Sequence, residues 1–247
     1  MATKKAQFRF YEELNDFLPS ERRKTSFDYL FNGKPAIKDA IEALGVPHTE
    51  VELILVNGES EGFSYHLREG DRVSVYPVFE SFDITEKIRL RPKALRSVQF
   101  ISDVHLGKLA RLLRMMGFDT LYRNDYSDDE IIRISQTEKR VILTRDRGIL
   151  KTGTVTHGCY IHSTDPRDQL SYVIKRFDLF RQIKPFYRCM VCNERIKSVE
   201  KSRIVTRLPA RTAQYYSEFF QCTGCGKIYW KGSHYQKMIK VIRRLYG

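Results

Sequence analysis

Residues 99–146, QFISDVHLGKLARLLRMMGFDTLYRNDYSDDEIIRISQTEKRVILTRD, alternate between short apolar runs and longer amphipathic ones. QFISDV predicts a short strand running out at Asp103. GKLARLLRMMG predicts a helix with Leu109, Leu112, Leu113 and Met116 on one face and Gly117 as its stop. DTLYRN is the next strand. SDDEIIRISQTE is a helix opened by Ser127, with Glu130 three residues later at capping-box spacing. RVILTRD is a third strand ending at Asp146; beyond it GCYIHST (158–164) is a fourth and DPRDQLSYVIKRF (165–177) a helix. Strand–helix alternation predicts an α/β fold with a parallel sheet. Ligands of such sheets bind beyond the C-terminal strand ends, where Asp103 and Asp146 fall.

Those two residues and Asp128 are the candidate acidic site. Crowded carboxylates repel, and a hard divalent cation such as Mg²⁺ or Mn²⁺, with its preference for oxygen ligands, relieves the repulsion. A cation so placed can activate water for in-line displacement at phosphorus, the chemistry of a nuclease. The alternative is structural. Asp128 can cap a helix, and Asp129 and Glu130 favour its N-terminal dipole. A carboxylate that ends an apolar strand, as at Asp103 and Asp146, is expected to have no such local task. Asp165, before Pro166, reads as a turn and cap residue. Glu130, Arg145 and Arg147 are candidates for catalytic support. Lys108, Arg111 and Arg114 could hold phosphates, or could be solvated helix faces.

Upstream, residues 6–80 read as a small α+β unit. AQFRFY is a strand, KDAIEALGV a helix ended by Gly45, ELILVNGES a strand entering an Asn57-Gly58 turn, and DRVSVYPVF a closing strand. This order resembles a beta-grasp, ubiquitin-like domain of the kind seen in small sulfur carriers. Those carriers end in a free Gly-Gly, whereas here the chain runs on through FESFDITEK, so a carrier function is not expected. Residues 81–98 are charged and weakly periodic and suit a connector.

Downstream, CMVC and CTGC are separated by 29 residues. Two CxxC turns at that spacing predict one closed four-sulfur site with Cys189, Cys192, Cys222 and Cys225 as ligands of a structural zinc. Gly224 and Gly226 ease the second turn. Cys159, in the apolar run GCYI, reads as a buried thiol. Residues 181–247 hold 15 Lys and Arg against 3 Asp and Glu, which is +12 of the net +13. Such a field attracts polyanions, of which RNA is the expected one. Candidate RNA-binding residues are Lys108, Arg111, Arg188, Arg195, Lys197, Lys227, Lys231 and His234. Among the neighbouring rings, Phe219 and Phe220 either stack on bases or pack under the ribbon; Trp230 and Tyr235 either face the acidic site or seal the ribbon.

FISDVHLGKLARLLRMMGFDTLYRNDYSDDEIIRISQTEKRVILTRDRGIL resembles the Mut-seven C-terminal ribonuclease domain, a branch of the PIN-like nucleases. FYRCMVCNERIKSV…FFQCTGCGKIYWKGSHYQKM resembles the zinc ribbon that follows it, and the ubiquitin-like segment is a companion of that domain. The resemblance implies a PIN-like fold, Asp103, Asp128 and Asp146 as acidic site residues, and ribonuclease activity. Three acidic positions stand here where PIN nucleases commonly carry four. A non-catalytic RNA-binding protein, or an adaptor acting through the ubiquitin-like domain, is the alternative.

The expected division is 1–93 (beta-grasp domain with linker), 94–180 (PIN-like nuclease domain) and 181–247 (basic zinc ribbon). The expected cofactors are structural Zn and catalytic Mg or Mn. Expected partners are single-stranded or structured RNA and a protein bound through the ubiquitin-like domain. With 42% apolar residues and no run long enough for a membrane span, the expectation is a folded, soluble, cytoplasmic protein.

Overall fold

A computed structural model describes residues 3–77 and 98–243; most of the expected connector lies outside them. The chain falls into two compact units, residues 1–97 with 128–160, and residues 98–127 with 161–247.

The first unit opens with β1 (Lys4–Phe10) and β2 (Phe27–Phe31), followed by α1 (Ile37–Ala43), β3 (Val51–Val56), β4 (Glu59–Glu61) and β5 (Arg72–Pro77). The sheet order is β2-β1-β5-β3-β4, with β1 and β5 parallel and the other neighbours antiparallel. Alternation in β1 buries Ala6, Phe8 and Phe10. With Ile37 and Ile41 of α1, and Ile54, Val73 and Val75 of the sheet, they make the core. Pattern reading missed β2, whose FDYLF has only its last residue buried. An edge strand needs a single apolar face and leaves little trace in sequence.

The same unit continues with α3 (Asp128–Glu138), β8 (Val141–Thr144), α4 (Arg147–Lys151) and β9 (Gly158–Tyr160). β8 pairs with β9 in parallel, and all four of its residues are buried, as a strand covered on both faces must be. Helix α4 was not expected, being too short to show a period.

The second unit holds β6 (Phe100–Ser102), α2 (Gly107–Met115), β7 (Thr120–Leu121) and α5 (Pro166–Arg176). β6 and β7 pair in parallel, and α2 packs on α5. Leu109, Leu113 and Met116 are fully buried, as the helical face predicts, while Leu112 of that face is half-buried. Then come β10 (Ile196–Val199), α6 (Ala210–Tyr215), β11 (Phe219–Cys222), β12 (Ile228–Trp230) and α7 (Ser233–Arg243). β10, β11 and β12 form an antiparallel three-stranded ribbon. The fold is α/β as read. Among the described residues no helix is long and apolar enough to cross a membrane.

Candidate functional site

The four cysteines sit in two turns built alike. In each, the residue four after the first cysteine lies in the left-handed region, Asn193 at φ 73° and Gly226 at φ 69°. Its N–H donates to that cysteine's carbonyl, over 2.9 Å from Asn193 and 3.2 Å from Gly226. Cys189 and Cys222 each donate their own N–H to the carbonyl five residues on, Glu194 and Lys227. The left-handed residue folds the chain back so that both sulfurs face one point, and Asn and Gly take that conformation at least cost. Gly224 serves by size: a Cβ there would strike the Glu194 side chain.

All four sulfurs lie within 4.8 Å of one another. Cys189 and Cys225 are 3.7 Å apart, Cys192 and Cys222 3.3 Å. Tetrahedral zinc with bonds of about 2.3 Å spaces its sulfurs about 3.8 Å apart, so the cluster can hold such an ion. Burial pushes the Cys189 thiol up. Hydrogen bonds from Tyr229 Oη at 3.0 Å and from the Cys192 and Val191 N–H groups outweigh it and bring the thiol down to about 6. Burial and the contact with Cys192 raise Cys222 to about 12, and Cys225 is raised chiefly by burial. Cys189 ionises readily while burial makes Cys222 and Cys225 resist; a divalent cation lifts that resistance.

The ribbon is fastened to β7 and α2 of its own unit. Arg114, read from sequence as a phosphate ligand or a solvated helix face, is instead buried. It donates to the carbonyls of Thr120 (2.8 Å), Val191 (2.7 Å) and Met190 (3.3 Å). Burial pulls its pKa down, while the Cys189 and Cys192 sulfurs and Asp119 act the other way. Asn193 accepts the Thr120 N–H and donates to Asp119, which also pairs with Arg188 at 2.9 Å. Gly117 has no room for a Cβ, which would run into the Lys184 carbonyl.

Asp103 follows β6 and is buried, its Oδ1 accepting the His105 N–H at 3.2 Å. Asp146 follows β8 and is exposed, its Oδ1 accepting the Gly148 N–H at 2.6 Å; its own N–H donates to Thr144 Oγ1. Both therefore cap the short helices that follow, which corrects the expectation that strand-end carboxylates have no local task. Asp165 caps α5 as expected, accepting from Arg167 and Asp168. Asp128 is the exposed first residue of α3, and Glu130, half-buried, lies in its first turn. Asp128 and Asp146 belong to the first unit and Asp103 to the second. Among the described residues, the cysteines are the only group of three or more ligating side chains gathered within 4.8 Å.

Arg145 is exposed. Arg147 is not directed outward. Its guanidinium lies over the rings of Phe17 (4.9 Å) and Tyr160 (5.5 Å) and donates to the Phe17 and Asp16 carbonyls. Around it the ubiquitin-like module grips the β8–α4–β9 segment at three further points. His48 bridges Glu42 Oε1 and the Val155 carbonyl. Lys151 donates to the Glu42 carbonyl, and the fully buried Glu50 accepts the Tyr160 N–H at 2.7 Å.

A model of the Mut7-C RNAse domain matches residues 98–242, more than half of the chain. The chain belongs to the Mut7-C RNAse domain family. A second model, the Mut7-C ubiquitin, matches residues 3–83. No curated protein and no solved structure gave a match.

On the surface of this Mut7-C chain, Lys108 and Arg111 are exposed on α2. They line a cavity of about 420 Å³ with His105, Tyr122, Thr164 and Gln169, next to Asp103 in sequence. Arg195 lies over Tyr187, Lys227 over Tyr229, and Lys231 pairs with Glu218; Lys197 and His234 are exposed. Phe219 is buried beneath the ribbon. Sequence reasoning missed Asn193, although CMVCN and CTGCG place Asn193 and Gly226 at the same offset. It also missed Asp119 and Tyr229, whose partners lie too far along the chain to leave a local sign.

Proposed function

We propose that this member of the Mut7-C RNAse domain family is a divalent-metal-dependent ribonuclease with three parts, 1–93, 94–180 and 181–247. What supports this most is that Asp103 and Asp146 each follow the C-terminal end of a parallel strand, where α/β folds bind ligands. The donor set is carboxylate oxygen alone, which suits Mg²⁺ or Mn²⁺ and not a soft ion. Asp103, Asp128 and Asp146 would hold it, and the bound ion would supply water activation and charge neutralisation at phosphorus. The caps at Asp103 and Asp146 fix each carboxylate through one oxygen before any ligand arrives. Lys108 and Arg111 would hold phosphates in the α2 cavity. Arg188, Arg195, Lys197, Lys227, Lys231 and His234 would hold RNA along the ribbon, whose four cysteines would carry zinc. Glu130 and Arg145 would assist at the acidic site, while Arg147 would assist by holding the Asp146 turn to the ubiquitin-like module.

A second reading, RNA binding without cleavage, is favoured by the gathering of ligating side chains at the cysteines alone among the described residues. A protein partner of the ubiquitin-like module would have to use a face other than that of Phe17, His48 and Glu50, such as the β2 edge with its exposed Leu30.

The test is incubation with a mixed RNA pool and Mn²⁺. Asp103→Asn, Asp128→Asn and Asp146→Asn should each lower cleavage about a hundredfold or more while leaving RNA affinity intact. Cleavage equal to wild type in the triple variant would refute the acidic site. RNA binding by the wild type with no cleavage and no Mn²⁺ uptake would favour the second reading.

A further inference from the structure

The ribbon carries a cavity of about 230 Å³ that none of the roles above uses. Five aromatic rings line it, Phe186, Phe220, Tyr229, Trp230 and Tyr235, with Met238 beside them. All six are half-buried, unlike Phe219, which is buried and closes the ribbon core. They are therefore held in place without being filled over among the described residues. Tyr229 is fixed by its hydroxyl on Cys189, and Phe186 packs against Tyr235 with centroids 4.7 Å apart and the rings tilted by 38°. Trp230 lies so close over Gly232 that a Cβ there would meet the indole nitrogen at 2.8 Å. Tyr235 and Met238 stand one turn apart on the same face of α7.

We propose that this cavity is a nucleobase pocket, which takes one unpaired base of an RNA strand whose phosphates lie along the cations of the ribbon. This rests on, and deepens, the assignment of RNA as ligand. The volume falls below the roughly 300–1,000 Å³ of sites for larger organic ligands, so it suits a single ring system. Rings that keep a face exposed stack on any base, and the contact is indifferent to sequence. Charge selects a polyanion over a protein segment: residues 181–247 carry 15 cations against 3 acids. Lys231, which also lines the cavity, pairs with the exposed Glu218, a pair weak enough for a phosphate to displace.

Trp230 is the sole tryptophan of the chain, so its fluorescence reports on this pocket alone. The full chain is titrated with end-labelled single-stranded RNA, an abasic oligomer of equal charge, and an amphipathic peptide. Anisotropy or binding of each probe and Trp230 quenching are read together. RNA should bind and quench; the abasic oligomer should bind more weakly and leave the tryptophan unquenched. Tyr235→Leu, which keeps the apolar bulk, should weaken RNA binding about tenfold at unchanged metal content and leave the abasic oligomer unaffected. Phe220→Leu should do the same from the sheet side. RNA that binds without quenching, or equal quenching by the abasic oligomer, overturns the pocket while leaving RNA as the ligand. RNA that does not bind at all overturns both. Quenching by the peptide and not by RNA assigns the cavity to a protein.

Discussion

The zinc-ribbon region and the ubiquitin-like module are each fastened to a strand–helix segment of the nuclease-type fold, but by different mixtures of bonds. The ribbon uses main-chain bonds as well as side chains, with Arg188 paired to Asp119 beside them. Arg114 reaches three carbonyls, Asn193 takes a backbone N–H, and Lys184 and Phe186 donate theirs to Met116 and Met115. The ubiquitin-like module is fastened through ionisable side chains, namely Arg147, His48, Lys151 and Glu50. The ribbon has few buried apolar residues of its own, so its shape comes from the cysteine cluster, and the contacts need only hold a preformed turn. The module has a full core of its own, against which Tyr160 also packs.

That contrast breaks most visibly on metal removal. A structural zinc contributes on the order of 10 kcal/mol or more to folding a small ribbon. Chelation or Cys222→Ser should therefore unfold residues 186–243 and leave residues 3–77 intact, as circular dichroism and limited proteolysis would show. Acid should have the same effect. Thiols must lose protons to bind metal, and Cys222 is raised to about 12. Protons therefore compete strongly at that sulfur, and metal is retained at neutral pH and lost as pH falls. Metal release that increased with rising pH would contradict this.

Next in size is Phe17→Ala. Phe17 is 4% exposed and supports Arg147 from below; its loss should cost about 3–5 kcal/mol in the first unit. Hydrogen exchange at residues 146–151 should quicken with it. Exchange that stays slow there would mean that the Asp146 turn does not lean on the module.

Arg114→Met keeps length and removes the donors. It strands three carbonyls between α2 and the first knuckle, and about 3 kcal/mol should be lost in thermal unfolding. Zinc content should stay near one per chain, since no ligand is touched. Metal loss instead would make the fastening a part of the metal site.

Glu50→Gln keeps an oxygen for the Tyr160 N–H and replaces the buried carboxyl with a carboxamide; it should shift stability by about 1–2 kcal/mol at most. Lys231→Ala, at an exposed pair, should leave the melting temperature where it was and lower RNA affinity only, the lowering fading with added salt.

Much of this was legible in the chain. The paired CxxC spacing declares a metal site because the ligand atoms and the turn that presents them are a few residues apart. The strands, helices and stops of residues 99–177 follow from periodicity, and the ubiquitin-like module from its strand–helix–strand order with Asn57-Gly58. β2 and α4 were not legible, since an edge strand and a single turn of helix leave no period.

What residues do with their charges was decided by tertiary structure alone. Sequence placed Arg111, Arg114, Arg145 and Arg147 near carboxylates, with Arg145 and Arg147 as candidates for catalytic support and Arg111 and Arg114 as phosphate ligands or solvated helix faces. In the folded chain Arg111 and Arg145 are exposed, Arg114 holds the first cysteine turn, and Arg147 lies against two rings. The same holds for Asp103 and Asp146, whose capping bonds go to N–H groups two residues on. Side-chain type and spacing fix what a group can bond. The partner that takes the bond is set by which backbone groups the fold leaves unpaired within reach, and that is known only when distant segments have come together.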